Sequence, residues 1–192
     1  MATAFTHAIA GAALVTVIPK PLPRLFVGIV AATLAILPDI DVLAFRFDIA
    51  YGDVFGHRGF THSLLFAALA APIASLLFIR YIAPFTKPWL ALVVLLFAAC
   101  ASHGVLDALT DKGLGVGFFI PVDNSRYFFP LRPLATSPVS VRRFFSGDFI
   151  AILRTEIYWV WLPVLASILS LRCWRFVMKR RRKNKKSGTT DG

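Results

Sequence analysis

An all-α, polytopic membrane fold with about four to five transmembrane helices is what this sequence predicts, on three observations. Hydrophobic residues make up 57% of the 192 and charged residues 16%, too apolar a balance for a soluble domain of this size. The mean hydropathy is +0.71. The apolar residues are also gathered into long runs, and those runs are separated by prolines and basic residues rather than by a polar linker. A single membrane domain over residues 1–178 is therefore expected, followed by a basic tail over residues 179–192 without fixed structure.

Residues 4–18 form the first and weakest apolar segment, rich in alanine, with His7 inside it. No basic region precedes it, so it is not read as a cleaved signal. Pro19, Pro21 and Pro23 forbid a continuous helix into the next segment, 25–37, and leave a short turn carrying Lys20 and Arg24. Both segments are short for a span of roughly 20 residues. Stronger segments follow at 63–82 and 89–109, parted by Pro84 and Pro88 beside Arg80 and Lys87, and a last one runs over 157–177. Between 110 and 155 lies a long connection rich in Gly, Pro and aromatic residues, expected to lie over the site as a lid or rim. Cys100 and Cys173 show no metal-type spacing and read as packing residues.

The net charge of +11 is concentrated in the tail, where nine Lys or Arg and a single Asp fall from Arg172 onward. A basic run after an apolar helix holds the cytoplasmic side through anionic lipid headgroups. Nucleic acid is not an expected partner, because no aromatic interleaving or known module accompanies the charge. Counting five spans back from a cytoplasmic tail puts both short basic loops inside. It also brings His7, Asp39, Asp41, residues 46–62 and residues 103–107 to the external face. The long connection, with Lys112, Arg126, Arg132, Arg142, Arg143 and Arg154, would then be external too, against the usual charge bias.

Four sequence features carry chemistry. His103 and Asp107 stand one helical turn apart at the end of an apolar segment, so a helix sets them on one face. Pro38-Asp39-Ile40-Asp41 closes another segment, and a proline break would let both acids approach one point, as shared ligands or as ligand and general base. In Gly56-His57-Arg58-Gly59-Phe60-Thr61-His62-Ser63, both rings reach one site if His57 lies in a loop and His62 near a helix start. Arg58 between them is placed to hold an anionic substrate group or developing charge, or else to pair with Asp53 or Asp48. His7 reaches the same face. Ionisable groups at membrane depth are costly and read as functional rather than structural.

A histidine in the first segment, Pro-Asp-Ile-Asp closing the second, His-Arg-Gly-Phe-Thr-His-Ser opening the third and Ser-His-Gly-Val-Leu-Asp in the fourth resemble the YdjM-like family. Its members are described as LexA-regulated, membrane-bound metal-dependent hydrolases. The resemblance covers about the first 110 residues and implies a bacterial inner-membrane protein with metal-dependent activity. It carries over to His7, Asp39, Asp41, His57, Arg58, His62, His103 and Asp107. The implied metal ligands are His7, Asp39, Asp41, His57, His62, His103 and Asp107. Catalytic roles are expected for Asp39, Arg58 and His62.

These seven ligands exceed what one zinc needs, so either two ions are held or some residues orient others. Zinc is the first expectation, and manganese or iron also suit His with Asp. A cation would acidify a water for attack on an ester or phosphoester, and the interfacial arginines and aromatics fit a lipid or other small phosphate-bearing substrate. Other enzyme classes lack their motifs. Ser102-His103 with Asp107 matches only the last element of a membrane acid phosphatase, and the His-Glu-x-x-His of zinc proteases is missing. A metal-ion or proton-coupled transporter is the alternative from another class, since intramembrane His and Asp also mark ion pathways. It would place them near the midplane.

Overall fold

Each apolar run in the sequence becomes a helix, with prolines at the breaks before the second and fourth of them but others, Pro38, Pro72 and Pro163, held within helical stretches. The computed structural model describes residues 1–18, 21–138 and 149–187. Helix α1 (Ala4–Ala13) starts at Thr3, whose side chain accepts from the Thr6 amide, and tightens into a 3-10 turn, Leu14–Val17. Helix α2 (Arg24–Ile36) begins straight after Pro23 and continues as a 3-10 helix over Leu37–Phe47. Ser63 caps α3 (Leu64–Ser75) by accepting from the Phe66 amide at 3.0 Å. Helix α4 (Lys87–Ala108) has a proline in its first turn, where a missing N–H costs nothing.

Helix α5 (Phe149–Glu156) runs through a π-turn, Ile157–Trp161, into α6 (Leu162–Ser187). The π-turn lies where the Pro163 ring would strike the carbonyl four residues back, so the wider turn relieves the clash. Three stretches are long and apolar enough to cross a membrane: Arg24–Phe47, Lys87–Ala108 and Phe149–Arg181. Two shorter apolar helices accompany them, Ala4–Val17 and Leu64–Phe78. Among the described residues there are no strands, only the isolated bridges Thr110–Leu134 and Val116–Tyr127. The protein is an all-α membrane protein.

The helical path of the second segment runs on past residue 37 to Phe47, that of the third stops at Phe78 rather than 82, and both ends of the last helix differ from the sequence reading. The last helix starts by Phe149, inside the stretch expected to be connection, because the segment from Phe149 to Glu156 is itself amphipathic and helix-compatible. It also carries on through Ser187, into the tail expected to lack structure; Lys and Arg are good helix formers and extend a helix already nucleated.

Helix α4 is the axis of the bundle, packing against α1, α2 and α3. Leu92, Leu96 and Ala99 are fully buried there, against Val27, Ala31, Ala67, Ala71 and Phe78. In lipid such packing rests on close approach rather than on expulsion of water, and small residues favour it. Gly11 of α1 lies so near Ala31 and Ala35 of α2 that a Cβ would meet the Ala31 carbonyl at 2.6 Å. At one end of the bundle two loops are stitched together over the helix ends. Gly117 donates to the Arg58 carbonyl, Leu64 to the Phe118 carbonyl, and Arg126 to the carbonyls of His57 and Asp53.

Candidate metal centre

Under those loops, four segments deliver side chains to one buried region. Helix α1 brings His7, the 3-10 extension of α2 brings Asp39 and Asp41, the turn before α3 brings His57, Arg58 and His62, and the last turns of α4 bring His103 and Asp107. His7, Arg58, His103 and Asp107 are wholly buried, and Asp41, His57 and His62 nearly so. Gly104 permits the approach, because a Cβ there would stand 3.0 Å from the His62 carbonyl oxygen.

The hydrogen bonds sort these residues into two roles. His103 Nδ1 lies 2.7 Å from the Ala35 carbonyl, an oxygen that only accepts, so Nδ1 carries the proton and Nε2 presents its lone pair. His62 Nδ1 lies 3.0 Å from Asp41 Oδ2, an acceptor, so the proton sits on that nitrogen and Nε2 is left bare. Burial holds the His62 imidazole below its ordinary value and so favours the neutral form. His62 Nε2, His103 Nε2, Asp107 Oδ2 and both Asp39 carboxylate oxygens are buried without a hydrogen-bond partner. His103 Nε2 lies 3.3 Å and His62 Nε2 3.8 Å from Asp39 Oδ1, and His62 Nε2 lies 3.7 Å from Asp107 Oδ2. Lone pairs converging at such distances, with no proton between them, are costly in a dry interior and fit a cation. Asp39, His62, His103 and Asp107 form one group whose ligand atoms all lie within 4.8 Å of one another and which can hold a metal ion.

Asp41, His57 and His62 form a second such group, but here protein donors already occupy the carboxylate. His57 Nδ1 lies 2.7 Å from Asp41 Oδ1, while Oδ2 accepts from the Arg58 amide at 3.0 Å and the Thr61 hydroxyl at 2.8 Å. The Asp39 and Asp41 side chains do not meet at one point as the proline break suggested. The chain stays helical through Pro38, and two positions apart on a three-residue turn face different ways.

Arg58 is turned inward rather than toward a substrate. Its Nε lies 3.0 Å from Asp107 Oδ2, though off hydrogen-bond alignment, and its other nitrogens donate to the Lys112 carbonyl and the Thr110 hydroxyl. Its ion-pair partner is thus Asp107, not Asp53 or Asp48. The residue has φ 63, a left-handed conformation unusual for a long side chain, fixed by bonds at both its amide and its carbonyl. Gly113, at φ +106, makes room, since a Cβ would come within 2.8 Å of the guanidinium. His7 falls outside both ligand groups. Its ring stacks on His103 at 3.7 Å, its Nε2 lies 3.4 Å from Asp107 Oδ1, and neither ring nitrogen has a hydrogen bond.

Of the arginines expected at the rim, Arg126 is spent on loop carbonyls and Arg132 lies over the Phe128 ring at 4.8 Å. Arg142 and Arg143 lie outside the described residues. Burial pushes the Tyr51 hydroxyl up and the Arg126 guanidinium down from their ordinary values, in keeping with a packed cover.

Glu156 is a residue the sequence reading passed over. It is fully buried and accepts from the Thr3 amide and hydroxyl and from the Thr6 hydroxyl, at 2.5–2.7 Å. Trp161 also donates to the Thr6 hydroxyl. This network ties the last helix to the start of α1, and one residue away the Ala2 amide donates to Asp107 Oδ1 at 2.9 Å. The available signal was an acid within a strongly apolar stretch.

The family model described as YdjM inner membrane protein matches residues 1–182. A curated relative, the Inner membrane protein YbcI of Escherichia coli (strain K12), is 40% identical over 155 residues, covering 80% of this chain and 85% of that protein. No solved structure matches.

Proposed function

Because the chain belongs to the YdjM family of inner membrane proteins, we propose that it is a membrane-bound metal-dependent hydrolase acting on an ester or phosphoester at the membrane surface. The observation that supports this best is the convergence of the bare His62, His103, Asp39 and Asp107 atoms in a buried pocket. Two imidazoles and two carboxylates suit zinc first, with manganese or iron also acceptable. One ion is favoured over two, because the Asp41 oxygens are already taken. When bound there, a divalent cation supplies Lewis acidity and lowers the pKa of a water it meets.

The remaining roles follow from contacts. Asp41 and the Ala35 carbonyl fix the tautomers and ring planes of His62 and His103. Arg58 sets its guanidinium beside Asp107 as a counter-charge, 3.0 Å from Oδ2. The Asp39 side chain is 11% exposed, against 0% for those of His62, His103 and Asp107. To Asp39, the least enclosed of the four although both its oxygens are buried, we assign one oxygen as a ligand and the other as the group that would take the proton of an attacking water. A cluster at one end of the bundle, closed over by two loops, supports a surface enzyme over a transporter, whose site belongs near the midplane with access from both sides.

Metal content by mass spectrometry on detergent-purified protein tests the reading, wild type beside His62→Ala and Asp107→Ala, together with turnover of lipid phosphoesters. Stoichiometric metal lost in both variants, with metal-dependent turnover, is expected. Wild-type protein that stays metal-free after addition of zinc or manganese would overturn it.

A further inference from the structure

We propose that the cleft between α1 and α6 binds one anionic phospholipid of the membrane, with an acyl chain in the cleft and the phosphate on Arg175 and Lys179. The cleft holds about 300 Å³. One wall is Ala10 and Ala13 of α1 with Leu14 of its 3-10 extension, and the other is Val164, Ile168 and Leu171 of α6. It exists because α1 shows small residues to α6, so the two helices touch lightly and leave a slot rather than interlocking.

The face of α6 lining this slot changes character within one turn. Positions 164, 168, 171, 175 and 179 recur at the three- and four-residue spacing of one helix face. The first three are apolar and the last two cationic, the profile of a phospholipid read from tail to headgroup. Arg175 donates to the Thr16 carbonyl at the end of the α1 extension, which anchors its guanidinium at the mouth of the slot and leaves other N–H groups to donate. Lys179 lies one turn beyond, and exposed Trp174 stands beside Arg175, the residue type that settles at headgroup depth. None of the ion pairs among the described residues involves Arg172, Arg175 or Lys179. Beyond Glu156 the sequence holds a single acid, Asp191. The cations therefore want an anion from outside the chain. A second copy would bring like charge to the same place, whereas basic pockets beside membrane helices take anionic headgroups.

Native mass spectrometry of the full chain from detergent containing equal phosphatidylglycerol and phosphatidylcholine tests this. One tightly retained phosphatidylglycerol is expected, with retention at least tenfold weaker in Arg175→Gln/Lys179→Gln. It should also be weaker in Ser167→Phe, which plugs the slot from a position that lines it. The tail variant Lys183→Gln/Lys185→Gln/Lys186→Gln should retain the lipid. Should the double variant fail to fold, salt on the wild type decides, since retention through Arg175 and Lys179 must fall as salt rises. Equal retention of the two lipids, loss only in the tail variant, or a dimer in place of a lipid adduct would each overturn the proposal.

Discussion

Asp41 shows how a carboxylate can serve a candidate metal site through the ring of another residue. Its two oxygens meet His57, the Arg58 amide, Thr61 and His62 at 2.7–3.0 Å, which leaves little lone-pair capacity for a cation. Its effect runs through His62, whose ring it orients and whose far nitrogen it keeps free. Asp41→Asn is thus expected to weaken metal binding about 10–100-fold, while His62→Ala abolishes it; a metal titration of the two proteins separates these outcomes. Arg58 poses the opposite case, a buried cation whose partner is a candidate ligand. Removing one member of such a pair costs about 3–5 kcal/mol because the other charge is stranded. Arg58→Met is expected to destabilise the metal-free protein by that order and to recover part of the loss when zinc is added, since a cation then faces Asp107. Melting with and without zinc checks this, and a loss identical in both states would separate Arg58 from the site.

The helical extension from Leu37 to Phe47 marks the limit of what the sequence made legible among the elements. Apolar runs and prolines were enough to place α1, the start of α2, the start of α3 and the whole of α4 to within a few residues, because both act locally, whereas both ends of the last helix lie eight to ten residues outside its apolar run. That Pro38 does not end the helical path was not legible, since proline is tolerated near a helix start and only tertiary contacts decide whether a new turn follows. The pairing of Arg58 with Asp107 was hidden in the same way: the partners lie far apart in sequence, and acids nearer in the chain offered equal charge. The motif residues themselves were legible because histidine and aspartate stand out against so apolar a background. Glu156 was missed for want of a neighbouring histidine to draw attention to its charge. Its role is one of linkage between elements, with three donors from the start of α1 satisfied by one carboxylate. Glu156→Leu strands those donors and is expected to lower stability by several kcal/mol, at about 1–3 kcal/mol for each buried group left unpaired. Glu156→Gln keeps one acceptor and should lose less. Hydrogen exchange at Thr3 and Thr6 measures both, and protection unchanged in Glu156→Leu would count against the network.

At the scale of the whole molecule the candidate centre is a tie between segments that are separate in the chain. Asp39 comes from the extension of α2, His62 from the turn before α3, and His103 and Asp107 from α4. A cation joining them binds the folded chain and not the unfolded one, so its binding free energy adds to stability, by about 4 kcal/mol when the free metal is a thousand times the dissociation constant. Chelation at neutral pH is therefore expected to lower the melting temperature of the wild type and to leave His103→Ala unmoved. Acid should act in the same direction. Both imidazoles must be neutral to donate, and protons compete for the same nitrogens, so metal affinity is full at high pH and declines as pH falls through the range where the ligands take up protons. The stability difference between metal-loaded and chelated protein should shrink over that range and vanish below it. Melting curves from pH 8 down to about pH 5, with zinc or with chelator, follow both states; curves that stay parallel throughout would mean that histidine does not hold the ion.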